Sequence, residues 1–193
     1  AGGAAGGKIA TGFTTLKGAL ANLVADGIEK AIDGFKELIT YSDKARKAAN
    51  SFAGKTGTSA ADMAKYAESI KKVYKDNFGE SFDDVSDVMA TVNQLLDETD
   101  PDKLEELTKN TILLRDAFDF DPKETLRTVQ QMVYQWGVTE AEAFNLIVQG
   151  AQNGLNKNDN LLDTINEYGP KFKSLGLTAE ETLNALANGA KHG

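Results

Sequence analysis

Residues 137–154 read GVTEAEAFNLIVQGAQNG, and residues 176–193 read GLTAEETLNALANGAKHG. The two align without gaps at an offset of 39, with seven of 18 positions identical: Gly137/Gly176, Thr139/Thr178, Glu142/Glu181, Asn145/Asn184, Gly150/Gly189, Ala151/Ala190 and Gly154/Gly193. Gly137 and Gly176 suit left-handed turn positions, where a Cβ is penalised. Each is followed by a Thr-x-x-Glu capping box, in which the threonine accepts from a first-turn N–H and the glutamate reaches back to the cap. The preceding segments keep register, with Leu126, Val129, Val133 and Trp136 matching Ile165, Tyr168, Phe172 and Leu175. The unit is a helix, a tight glycine turn and a second helix, repeated at about 122–154 and 160–193. Residues 82–118 read as a degenerate third copy whose turn is longer and lacks glycine. A two-helix unit of this length predicts helical hairpins in a compact bundle or a short solenoid-like array.

Capping chemistry marks the other helix starts. Ser59 with Asp62 and Ser81 with Asp84 have cap spacing, and Asp100-Pro101 and Asp121-Pro122 place a cap before a proline at the first helical position, with Glu124 completing a box. The pattern predicts helices at about 59–77, 82–97, 101–118, 122–136, 139–153, 160–174 and 178–190, with Gly169-Pro170 kinking or splitting the one at 160–174. No stretch alternates with period two, so the class is all-α. Phe118, Trp136, Phe144, Tyr168 and Phe172 sit at helical spacing among aliphatic residues and read as core.

Upstream the composition changes. Residues 1–57 hold ten of the 18 glycines and carry a net +3, which leaves −11 for the rest of a chain whose total is −8. The run AGKTGTS at 53–59 marks a boundary between a Gly/Ala-rich segment (1–57) and an acidic helical-hairpin domain (58–193). Within the first segment Ile9, Phe13, Leu16, Leu20, Val24, Ile28, Ile32, Phe35 and Ile39 advance by three or four at every step, the signature of a long amphipathic helix. Gly12, Gly18, Gly27 and Gly34 each cost such a helix about 1 kcal/mol relative to alanine. An apolar stripe on so weak a helix predicts burial against a partner, and self-association is the expectation.

Composition excludes much of enzymology. The chain has no cysteine and one histidine, His192, so thiol catalysis, disulfide frameworks and most histidine-dependent mechanisms are absent. A net charge of −8 disfavours nucleic acid as a specific partner. Asp83/Asp84, Asp87, Glu105/Glu106 and Glu140/Glu142 lie in polar surroundings near helix starts, where they complement the helix dipole better than they serve as an acid–base pair. Asn156, Asn158, Asn160 and Glu167 fit positions of a calcium loop, but Leu161 stands where glycine is required, and the segment reads as a helix capped by Asn160. No catalytic, cofactor or metal site is assigned. Asn145 and Asn184, equivalent in the repeat, read as caps of or bridges to neighbouring backbone, with a contact surface as the alternative, and His192 is assigned no role. Lys17, Asp26, Glu29 and Lys30 interrupt any apolar run of about 18 residues, so the first segment is no resident membrane span. The start AGGAAGGKIATG lacks a signal peptide's charged-then-apolar pattern and reads as that of an excised or processed fragment.

The order of elements resembles the tail tape measure proteins of long-tailed bacteriophages. It begins with the Gly/Ala-rich helix IATGFTTLKGALANLVADGIEKAIDGFKELI and continues through AANSFAGKTGTSAADMAKYAESI. The most specific part runs from DPKETLRTVQQMVYQW through the turn QNGL and the run LLDTINEY to GLTAEE. The resemblance implies a virion component that occupies the lumen of the tail tube, sets tail length and leaves ahead of the DNA at infection. Some relatives carry cell-wall-degrading domains, which leaves a muralytic enzyme as a third reading, but no muralytic motif is present here and composition points to a non-enzyme without cofactors. Its implied partners are tail tube and tail tip proteins and, in the host cytoplasm during assembly, tail assembly chaperones. A homo-oligomer through the N-terminal helix fits the stripe. Some relatives carry segments thought to enter the host membrane, so a membrane-active or pore-forming segment in residues 1–40, with transient host membrane contact, is the alternative. As one continuous helix the chain would reach only about 290 Å, too short to measure a whole tail.

Overall fold

A computed structural model describes residues 37–192, with side chains described for 43–189. The stripe residues Ile9, Phe13, Leu16, Leu20, Val24, Ile28, Ile32 and Phe35 lie outside the described residues, and Ile39 lies within a helix at a position whose side chain is not described. The described chain is all-α, with eight helices and no strand among the described residues: α1 (Glu37–Thr56), α2 (Met63–Lys75), α3 (Phe82–Leu96), α4 (Pro101–Phe118), α5 (Pro122–Trp136), α6 (Glu140–Gln152), α7 (Leu161–Ser174) and α8 (Ala179–His192). These residues gather into two compact units, 37–123 and 124–192. The division at 57 concerns a first segment that is mostly undescribed; across Gly57, α1 packs on α2 and α3.

The first unit is a four-helix packing in which α1 and α4 each lie against both α2 and α3. Periodicity of large apolar residues does not reveal α1, because its inner face is Ala45, Ala48, Ala49 and Phe52, all buried. These positions have the i, i+3, i+4, i+7 spacing of one helix face, written in alanine. Small side chains let α3 approach closely enough for the Ser86 hydroxyl to donate to Ala48 O at 2.7 Å in the buried interior. Phe52 meets the Tyr66 ring at 4.6 Å, and the Tyr66 hydroxyl donates to Thr99 O at 2.9 Å. Ile70, Val85, Met89, Leu104, Ile112 and Leu114 complete this core.

Helix α2 starts at Met63, four residues later than the cap spacing predicts. The Ser59 side chain instead accepts from Asp62 N–H in a turn that precedes the helix. The helix also stops short of 77, because Asn77 has a φ of 66°. Asp97 and Asp119 close α3 and α4 in the same left-handed conformation. Asp97 therefore takes, in the 82–118 hairpin, the conformation that Gly137 and Gly176 take in the others, with φ values of 54°, 68° and 85°. Aspartate reaches this region because its short side chain is tolerated there, which is why the third hairpin needs no glycine.

The second unit buries Leu126, Val129, Met132, Phe144, Ile147, Leu161, Ile165 and Leu183. Helix α8 packs on both α6 and α7. Helix α7 neither splits nor ends at Pro170: it runs unbroken from Leu161 to Ser174. A proline frees the carbonyl four residues earlier, here that of Asn166. That carbonyl accepts from Gln131 Nε2 at 3.0 Å, so the orphaned group has a partner from α5. The Asn160 side chain makes no cap bond; Asn156 Oδ1 accepts from Leu161 N–H at 3.1 Å and caps the helix from further back.

Candidate functional site

The features with the most constructed geometry are the turns and contacts of the repeated hairpins. At the α5–α6 turn, Thr139 Oγ1 accepts from Glu142 N–H at 3.2 Å and Glu142 Oε2 accepts from Thr139 N–H at 2.8 Å. At the α7–α8 turn, Thr178 Oγ1 accepts from Glu181 N–H at 3.1 Å and Glu181 Oε2 accepts from Thr178 N–H at 2.9 Å. Both boxes satisfy amides that would otherwise lack partners at a helix start. Thr139→Ala and Thr178→Ala are each expected to cost about 1 kcal/mol in urea denaturation. Unchanged midpoints for both would remove the caps from the stability of the fold.

The turns are joined by a contact that the repeat alignment does not announce. A Cβ on Gly169 of α7 would stand 2.8 Å from Cη2 of Trp136 and 3.2 Å from Gln135 Oε1, so the bare glycine surface seats the indole at the end of α5. The indole Nε1 donates to Leu177 O in the α7–α8 turn at 3.0 Å. Next to it, Asn166 Nδ2 donates to Thr128 Oγ1 at 2.9 Å, and Gln131 reaches the carbonyl left free by Pro170. One hairpin is thus coupled to the next by an aromatic ring on a glycine, a turn carbonyl and two amide side chains. The glycine before a proline was the available signal, but the Trp136–Gly169 pair spans 33 positions, and no local pattern links them.

The equivalent asparagines have diverged. Asn145 is buried and its Nδ2 donates to Ala141 O at 2.8 Å, whereas Asn184 is exposed. Phe144 is fully buried, and Trp136, Phe118 and Phe172 are half-buried. Tyr168 departs from the core expected of it: it is 41% exposed, with the Lys171 ammonium 4.6 Å from its ring centroid.

The acidic residues work as struts. Arg115 holds Asp84 through two bonds of 2.7 and 3.1 Å, tying α4 to the start of α3, while Asp84 Oδ2 accepts from Glu80 N–H at 2.9 Å. Burial alone would raise the Asp84 pKa, but the Arg115 guanidinium and the Glu80 amide outweigh it and hold the carboxyl below the usual range. Stability from this group is therefore present above the unfolded carboxylate range and lost as pH falls through the lowered folded value. Lys109 Nζ lies 2.6 Å from Asp76 and 2.7 Å from Glu105. Burial opposes its charge, yet the two carboxylates keep its ammonium above the ordinary lysine range. Asp83, Asp87 and Glu106 are exposed, and Asp87 pairs with Lys55. Among the described residues no group of three or more His, Cys, Asp or Glu side chains is placed to hold a metal ion.

Helical hairpins linked by caps and ring-on-glycine contacts, with carboxylates serving as struts, form a scaffold. The model of the phage-related minor tail protein family matches residues 73–193. A probable tape measure protein of Streptomyces phage phiC31 is 52% identical over 42 residues, which cover 22% of this chain and 6% of that relative. The chain thus matches only a small fraction of the relative's length. No solved structure matches it. The family match spans well over half of the sequence and includes α3 to α8 in full, so the chain belongs to the phage-related minor tail protein family.

Proposed function

We propose that this chain is part of a tape measure protein: a non-enzymatic component of the phage tail that lies in the lumen of the tail tube, contributes to setting tail length and leaves at infection. The observation that carries the reading is the 52% identity to a probable tape measure protein within a chain that belongs to a minor tail protein family. Capped helices and carboxylates engaged as struts fit a structural role. In this reading the partners are tail tube and tail tip proteins, with assembly chaperones in the host cytoplasm, and the stripe from Ile9 to Ile39 makes the homo-oligomer.

No helix among the described residues is long and apolar enough to cross a membrane. The membrane-active alternative falls on residues 1–40, nearly all of which lie outside the described residues. Tail length after in-frame removal of one 39-residue period tests the ruler reading: a shorter tail supports it, and an unchanged tail refutes it.

A further inference from the structure

Within residues 124–192, one hairpin engages the next through Trp136, which sits on Gly169 and donates to Leu177 O. One 39-residue period later the equivalent residue is Leu175, which is 74% exposed. Tyr168 is the equivalent of the fully buried Val129, yet it is 41% exposed, and Phe172, the equivalent of Val133, is half-buried. Tyr168 and Phe172 stand at i and i+4 on α7, and Leu175, the residue that caps its C-terminal end, follows at i+7, so the three continue one edge. That edge is apolar in both copies; Val133 and Phe172 are alike half-buried, but buried Val129 and half-buried Trp136 in the first copy are matched by exposed Tyr168 and Leu175 in the second. Among the described residues, the remaining large hydrophobic side chain with such exposure is Tyr134, on α5.

We propose that the Tyr168–Phe172–Leu175 edge is a docking surface for a further helical hairpin of this same repeat, seated there as α7–α8 is seated on Trp136. The existing contact supplies the template. It needs a small residue on the incoming first helix opposite position 175, as Gly169 stands opposite Trp136. The flanking polar contacts change between copies, since Thr128 and Gln131, which bond Asn166, correspond to Glu167 and Pro170. The polar contacts that flank the first seat are therefore not repeated at the second, where exposed Glu167 and the Lys171 ammonium over Tyr168 form a charged rim. Repeat proteins bury each unit's apolar face against the neighbouring unit, and this edge has the register of the internal interface. The docking surface is independent of any role in length setting.

The chain has no cysteine, which makes thiol labelling a clean probe. Leu175→Cys is made in the full chain and in a chain extended after Gly193 by a second copy of residues 155–193, with Tyr134→Cys as the outward-facing control. Maleimide labelling at position 175 is expected to slow about tenfold or more in the extended chain, while position 134 labels at one rate in both. Added helix by circular dichroism and a single unfolding transition accompany this result. Equal labelling at position 175 in the two chains overturns the proposal, whether the added hairpin folds separately or adds no helix. If the unextended chain protects position 175 as its concentration rises, the occupant is a second copy of the chain, and the proposal also fails.

Discussion

Gly79→Ala is expected to destabilise the fold by about 2–4 kcal/mol, the sum of left-handed backbone strain and forced overpacking. Gly79 has a φ of 81° in the α2–α3 turn, and an added Cβ would stand 2.6 Å from Val85 Cγ2 and 3.0 Å from Asp84 Oδ2. Neither neighbour yields cheaply: Val85 is fully buried and β-branched, and the Asp84 carboxylate is held by Arg115 and by Glu80 N–H. Gly54 is the internal control, since it lies within α1 and a Cβ there meets nothing within 4 Å. Gly54→Ala should stabilise by up to about 1 kcal/mol through helix propensity. Urea denaturation of both variants checks the pair, and equal midpoints would mean that the α2–α3 turn is not packed as described.

Gly169→Ala carries the second large effect, about 2–3 kcal/mol, because the new methyl would press on Trp136 Cη2 at 2.8 Å. A rigid indole can relieve that contact only by moving as a whole, which breaks its bond to Leu177 O. Trp136 is the one tryptophan in the sequence, so its fluorescence reports the displacement directly. The variant should show a red-shifted emission together with a lower denaturation midpoint. Gly189→Ala on α8, where a Cβ meets nothing within 4 Å, should show neither. Native emission and stability in Gly169→Ala would remove the coupling between hairpins.

Local chemistry made most of this fold legible. Thr139, Thr178, Ser81 and Asp100 cap the helices that their side chains announce, because a cap is decided within four residues of its own position. Features set by distant partners were not legible. Helix α1 escapes a search for large apolar residues because its face is alanine, chosen by how closely α3 approaches. Pro170 reads as a break until Gln131, 39 positions earlier, is seen to take up the freed carbonyl. Asn160 has the right residue type for a cap, yet Asn156 takes that role because the loop folds back on itself. For the site, the turn glycines and boxes could be read from the repeat, whereas the Trp136–Gly169 seat required the packing of two helices.

The most direct test of the ruler role is tail length, measured by electron microscopy, in a phage whose gene for this chain lacks residues 137–175. That excision joins Trp136 to Gly176, removes one period and keeps a helix, a glycine turn and a capped helix in sequence. If the segment is drawn out as a continuous helix in the tube, the tail should shorten by about 60 Å, at about 1.5 Å per residue. If the hairpins stay folded and stacked along the tail, the loss should be nearer 10 Å, one helix-to-helix spacing. Either shortening agrees with a ruler built from these repeats, and a tail of unchanged length contradicts it.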